Sequence, residues 1–243
     1  LDFRNPQVRA HATEVIDRVV NEYGVGYIKM DYNIEPGIGT ELDADSYGDG
    51  LLGHNRAYLE WLDGIFERYP DLIIENCSSG GLRMDYAMLS RYSIQSTSDQ
   101  EDYVRYATIT ANAPSAVTPE QAAVWSYPLT DGDCEEVVFN MVNALFLRIH
   151  QSGHLVNLSP ERFGYVKEAI SYYKTIRHLT KNALPYWPLG LSSYSDPWVS
   201  LGLEAEGKDF LAVWRRNSQM PVQEIPVKHL KGKEDRKSTR LNS

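Results

Sequence analysis

Three short stretches carry side chains of the kinds that do chemistry. In residues 27–33, Tyr-Ile-Lys-Met-Asp-Tyr-Asn, the polar Lys29, Asp31 and Asn33 fall at alternate positions. Alternate side chains of an extended chain share a face, so a lysine, a carboxylate and an amide would stand together at a strand end. Such groups are costly to bury unless they hold a ligand or each other. Residues 75–85 add Cys77, Ser79, Gly80, Gly81, Arg83 and Asp85, and residues 97–102 add Ser98, Asp99 and Asp102. Carboxylates at the ends of different strands on one barrel face suit paired nucleophile and acid work, and glycoside hydrolysis uses such a pair.

Each stretch also has a plainer explanation. Lys29 and Asp31 would serve equally as an ion pair at a strand tip. Ser98-x-x-Glu101 has the spacing of a helix capping box, and Asp99-x-x-Asp102 offers a second cap one residue later. Gly80-Gly81 would make a turn as readily as it would let backbone N–H groups approach a ligand. Cys77 suits a small buried apolar site, and with no activating histidine nearby it is a poor thiolate nucleophile.

The elements that must position these groups alternate. Asn5-Pro6 starts a helix, with apolar residues at helical spacing as far as Tyr23. The strand at 27–33 follows, then a polar, glycine-rich loop over 35–50 and a helix over 54–68. Strands are expected at 72–76 and 93–97, a short helix at 84–90, and a helix from the third polar stretch to about Ala111. Residues 114–130 read as irregular, 135–151 as a long helix, 155–158 as a strand and 160–181 as a helix. On this reading His150 and His154 fall four apart at a helix end closed by Gly153. Strand–helix alternation with polar strand ends is an α/β pattern built on a parallel sheet, of which four or five β/α units are present. Beyond about Leu184 the pattern changes to two strands, 198–203 and 210–214, joined near Gly207-Lys208. They form the expected start of an antiparallel β domain.

Composition narrows the class. The formal charge of −9 argues against nonspecific nucleic-acid binding. No apolar run approaches the roughly 20 residues of a membrane span. Two cysteines, Cys77 and Cys134, set no disulfide framework, which is compatible with a reducing, cytoplasmic compartment. No Cys/His cluster has structural zinc spacing, and no phosphate-binding glycine loop or serine nucleophile elbow is present. Residues 235–243, Asp-Arg-Lys-Ser-Thr-Arg-Leu-Asn-Ser, back-translate in frame to a sequence resembling a common short-read sequencing adapter. They are expected to be an artefact, and the chain a gene fragment cut at both ends.

Together the three stretches resemble the α-galactosidases of glycoside hydrolase family 36. Residues 27–33 resemble that family's Lys-x-Asp-x-Asn strand, and residues 75–85 its Cys-x-Ser-Gly-Gly-x-Arg-x-Asp block. Residues 97–102 resemble its Ser-Asp-x-x-Asp block. The resemblance implies a partial (β/α)8 TIM barrel over residues 1–183, holding the C-terminal strands, and the start of a C-terminal β-sandwich domain over 184–234. It implies retaining hydrolysis of melibiose- or raffinose-type α-galactosides, with Asp31 as nucleophile and Asp99 as general acid/base. Lys29, Asn33, Cys77, Ser79, Gly80, Arg83 and Asp102 would contact the substrate, and no metal or organic cofactor is implied. A raffinose- or stachyose-synthase type of transferase, or a non-catalytic sugar-binding barrel, would share these features. A homo-oligomeric parent is compatible with the resemblance. Met30 stands where the family often has tryptophan, and residues 125–128, Trp-Ser-Tyr-Pro, depart from its commonest members. The family's earlier barrel strands, which supply acidic, tryptophan and arginine groups to the sugar, are not represented.

Overall fold

The structure is a computed structural model that describes residues 1–230 and Gly232. The expected artefact at 235–243 lies outside the described residues. The chain divides into two compact units, Leu1–Ser96 and the residues from Thr97 onward.

The first unit runs α1 (Pro6–Asn21), β1 (Tyr27–Asp31), α2 (Tyr47–Arg68), β2 (Ile73–Cys77), α3 (Tyr86–Leu89) and β3 (Ile94–Ser96). α1 begins as its sequence predicts, with Pro6 in the first turn and the Asn5 side chain accepting from the Gln7 N–H. α2 begins well before the expected His54. Ser46 is its N-cap and accepts from the Asp49 N–H at 3.2 Å. The glycines that suggested a longer loop have a packing reason. A Cβ on Gly50 would collide with the Thr40 carbonyl, so the first turn of α2 closes onto that backbone only as glycine.

β1 and β2 pair in parallel, with Tyr27 opposite Ile73, Lys29 opposite Glu75 and Asp31 opposite Cys77. β2 pairs in parallel with β3, Glu75 facing Ile94. The helices cover one face, where Ile28, Met30 and Ile74 pack with Ile16, Tyr58, Trp61, Leu62 and Ile65. Leu62 and Ile74 are fully buried there, and each side chain so buried contributes about 1.5–3 kcal/mol. Tyr27, Lys29 and Asp31 point to the opposite face and are exposed.

The second unit runs α4 (Tyr103–Asn112), β4 (Ala122–Ser126), α5 (Cys134–Leu145), β5 (Arg148–Gln151) and α6 (Pro160–Ile176), then β6 (Leu184–Tyr186), β7 (Trp198–Ala205) and β8 (Lys208–Arg215). Three expectations are corrected here. The stretch expected to be irregular contains β4, in which Ala122, Ala123 and Val124 are wholly buried. A strand buried on both faces shows no alternation to betray it. The long helix expected over 135–151 stops at Leu145, and the chain turns through Leu147 N–H to Ala144 C=O into β5. The apolar Phe146-Leu147 pair had carried the helical pattern across that turn. The expected strand at 155–158 is instead a single 3₁₀ turn over Leu155–Asn157.

β4 and β5 are parallel, with Trp125 opposite His150. β6, β7 and β8 form an antiparallel sheet in that order. β7 and β8 are joined through Glu206 and Gly207, both in the left-handed region that a tight hairpin requires. β6, an edge strand containing Pro185, was not anticipated. Val199, Leu201 and Trp214 of this sheet share an apolar cluster with Ala107, Ala111 and Leu145 of the helices. Among the described residues no helix is long and apolar enough to cross a membrane.

A buried ion pair fixes the segment after β4. Glu136 of α5 and Arg162 of α6 meet at 3.0 Å, Arg162 also donates to the Thr130 carbonyl at 2.9 Å, and the Leu129 N–H donates to Glu136 at 3.1 Å. Removing one partner leaves a buried charge uncompensated. Arg162→Met is therefore expected to cost about 3–5 kcal/mol, measured as a lowered urea midpoint. A loss below about 1 kcal/mol, the range of exposed pairs, would show that the pair does not hold the segment.

Candidate active site

The carboxyl ends of β1 and β2 bring several of the sequence-predicted residues together. Because the strands are parallel and in register, Lys29 and Asp31 of β1 stand beside Glu75 and Cys77 of β2 on the face away from the helices. The Cys77 side chain stands opposite Asp31 in the parallel register and is buried. Burial, above all, pushes this thiol up from its ordinary value, and Asp31 adds to the rise. Gly80, Ser96 and the Lys29 charge pull the other way. At neutral pH the group is therefore a thiol beside Asp31 rather than a nucleophile.

Glu75 is the residue that sequence reasoning missed. It is 1% exposed, receives a hydrogen bond from the Tyr27 hydroxyl, and has Lys29 Nζ at 3.7 Å. The signal was present, since Glu75 lies two residues before Cys77 in the same strand and so shares its face. The Lys29 ammonium is thus held from below by a buried carboxylate.

The turn after β2 is built on backbone geometry. Ser79 and Gly80 both adopt positive φ, 42° and 80°, a conformation unfavourable for serine. Asn33 supports it, its side-chain oxygen accepting from the Ser79 N–H at 2.7 Å and the Ser79 hydroxyl at 3.3 Å. The Gly80 carbonyl accepts from the Ser78 N–H at 3.2 Å. Arg83 lies 3.8 Å over the Tyr32 ring and donates to the carbonyls of Tyr32 (3.2 Å) and Ile34 (2.9 Å). Its guanidinium braces the segment leaving β1. Asp85 caps α3, accepting from the N–H groups of Ala87 and Met88.

In the second unit Asp99 is exposed just beyond Thr97. Neither expected cap forms. α4 starts at Tyr103, and its N-cap is Asp102, which accepts from Val104 N–H at 2.9 Å and Arg105 N–H at 3.2 Å. Ser98 accepts instead from the Gln100 N–H at 3.1 Å. Asp99 is thus left out of the helix start, and Asp102 is engaged in it. His150 lies in β5 rather than on a helix with His154. Glu204 of β7 and Asp209 of β8 come close to His229 of a 3₁₀ turn over Lys228–Leu230, and Asp209 and His229 bond each other at 2.6 Å.

The family model for melibiase matches residues 1–181. The chain is 24% identical over 206 residues to α-galactosidase Mel36A of Lactobacillus acidophilus, covering 82% of this chain and 28% of that protein. It is 28% identical to the bifunctional α-galactosidase/sucrose kinase AgaSK of Mediterraneibacter gnavus, over 90% of this chain and 22% of that one. In fold it matches the crystal structure of the GH36 α-galactosidase AgaA from Geobacillus stearothermophilus with a TM-score of 0.80, at 18% identity, over 94% of this chain and 33% of that one. The galactosidase domain of AgaSK matches with a TM-score of 0.77, at 20% identity, over 92% and 31%. The parallel α/β part and the antiparallel sheet are therefore a portion of the GH36 barrel and its following β domain. The chain belongs to the melibiase family. It spans less than a third of the length of these two curated relatives.

The exit of β1 is also held by His54. Its Nδ1 accepts from the Phe3 N–H at 3.1 Å, so Nε2 carries the proton and donates to the Tyr32 hydroxyl at 3.0 Å. Burial, outweighing the pull of Asp2, pushes this imidazole below its ordinary value. The unfolded chain takes up the proton near pH 6.5, and the folded chain resists it. His54 therefore contributes stability that is complete above about pH 6.5 and is lost as pH falls from there through the lower folded value. Urea midpoints at pH 7.5 and 5.5 should show a larger drop for the wild type than for His54→Gln. Equal drops would contradict a neutral, buried His54.

Proposed function

We propose that the protein to which this chain belongs is a retaining α-galactosidase acting on terminal α-galactosides of the melibiose and raffinose type. The observation that carries the reading is Asp31, exposed at the carboxyl end of a barrel strand beside a held lysine and a protonated thiol, in a chain of the melibiase family. Mel36A and AgaSK are named α-galactosidases, and AgaA structures contain raffinose or stachyose. Residues 1–183 would contribute the later barrel strands, and 184–234 the start of the following β domain.

Asp31, ionised, attacks the anomeric carbon while Asp99, protonated, gives its proton to the leaving oxygen. The C–O bond breaks and a β-galactosyl ester of Asp31 forms. Asp99 then takes a proton from water, whose oxygen attacks the same carbon and frees Asp31, with net retention. Lys29 and Asn33 supply donors for sugar hydroxyls, and Cys77 and Gly80 pack beside the sugar. Arg83 and Asp102 act on this site through the backbone they hold, and Ser79 acts through the Asn33 side chain. Neither step requires a metal or an organic cofactor.

In the complete gene product, Asp31→Gly should lower turnover of an aryl α-galactoside by at least about 10⁴-fold. Added azide should restore turnover and yield a β-galactosyl azide, because it enters from the face that Asp31 vacated. Turnover by Asp31→Gly close to wild type, without azide, would sink the nucleophile assignment. Asp99→Ala should lose more activity on melibiose than on an aryl galactoside with a good leaving group, whose departure needs little acid assistance. Equal losses on the two substrates would contradict the acid role.

A further inference from the structure

Trp125, Tyr127 and His150 form an aromatic group at the carboxyl ends of β4 and β5. Trp125 and His150 are opposite one another in the parallel register. Their neighbours point the other way, with the Ser126 hydroxyl on Met141 of α5 and Ile149 packed with Val137 and Met141. The three rings therefore stand on the sheet face away from the helices, at the end of the strands where barrel enzymes keep their sites. Trp125 and Tyr127 are stacked at 5.8 Å and 23°, and His150 meets Trp125 edge-on at 4.9 Å. All three are half-buried.

The group is held by its backbone. Asn140 of α5 accepts from the Tyr127 N–H and donates to the Tyr127 carbonyl, both at 3.2 Å. Tyr106 of α4, 1% exposed, joins the group to Asp99. Its hydroxyl donates to the Ser98 carbonyl at 3.1 Å and accepts from the Trp125 N–H at 3.3 Å. It also meets the Thr97 hydroxyl at 3.1 Å. Trp125 and the residue before Asp99 thus hang on one buried hydroxyl.

We propose that Trp125, backed by Tyr127 and edged by His150, is the platform on which the leaving sugar of an oligosaccharide substrate stacks. This rests on the reading of Asp99 as the acid. The proton of Asp99 goes to the glycosidic oxygen, so the sugar beyond that oxygen lies on the side of Asp99. A pyranose ring presents an apolar C–H face to the negative face of an indole, while its edge hydroxyls meet the imidazole. The preferred substrates are therefore α-galactosides whose leaving group is a hexopyranose rather than a simple alkyl group.

The test compares raffinose with methyl α-galactoside, whose leaving group is too small to stack, in the complete gene product. Trp125→Ala should lower kcat/KM for raffinose by about tenfold, chiefly through KM, which is the scale of one aromatic contact. It should change methyl α-galactoside by less than about twofold, well below that scale. Trp125→Leu, which keeps apolar bulk without a π face, should show the same split, and Trp125→Phe should recover most of the raffinose activity. Equal losses on both substrates, or raffinose activity unchanged in the Leu variant, would overturn the platform. Asp99→Ala measured alongside separates the two ideas. Equal loss on good and poor leaving groups removes the acid role and the platform with it. Acid-like behaviour of Asp99→Ala, with raffinose kinetics untouched in Trp125→Ala, removes the platform alone.

Discussion

A carboxylate buried on the open face of a parallel sheet governs the first unit. Glu75 is almost wholly shielded from water, and an unpaired charge in that position would be costly. It is tolerated because Tyr27 and Lys29 of the neighbouring strand reach it. That pairing is available in one register only, since a slip of one residue would move every side chain of β1 to the other face. The same register sets Asp31 beside Cys77 and sends Ile28 and Met30 into the helical layer. The electrostatic need of one residue and the hydrophobic need of two others select the same alignment.

Several side chains of the family blocks serve as support. Arg83, Asp85 and Asp102 hold backbone: Arg83 clamps the segment after β1, and the two aspartates start helices. Asn33 stabilises the left-handed turn at Ser79 through its oxygen. Asp31 and Asp99 remain as exposed carboxylates that no helix start engages. In the second unit Tyr106 has the organising part, tying Ser98, Thr97 and Trp125 through one hydroxyl.

Much of this was legible in the sequence, for identifiable reasons. β1 could be found because its polar residues alternate and a glycine-ended helix precedes it. The α/β class followed from strand ends that each close in polar groups. β4 escaped because it is buried on both faces and so lacks alternation. The end of α5 escaped because apolar residues continue through the turn into β5. The start of α2 was masked by Gly48 and Gly50, of which Gly50 reflects close approach to Thr40 rather than a loop. At the site, spacing marked Lys29, Asp31 and Asn33 as one face but did not show that Lys29 answers to Glu75. It offered caps at Ser98 and Asp99, and only the backbone places the cap at Asp102. Hydrogen bonds between distant segments, such as Tyr106 to Trp125, leave no trace in a single chain's spacing.

The assignment of Asp31 is tested most directly by trapping the covalent intermediate. A 5-fluoro-α-galactosyl fluoride forms the glycosyl ester and releases it slowly, so the complete gene product can be digested and its peptides weighed while the label persists. The expected result is one fluorogalactosyl adduct on the peptide containing Asp31, absent from Asp31→Asn. A label on another carboxylate, or turnover of the reagent with no labelled peptide and inversion at the anomeric carbon, would contradict the account.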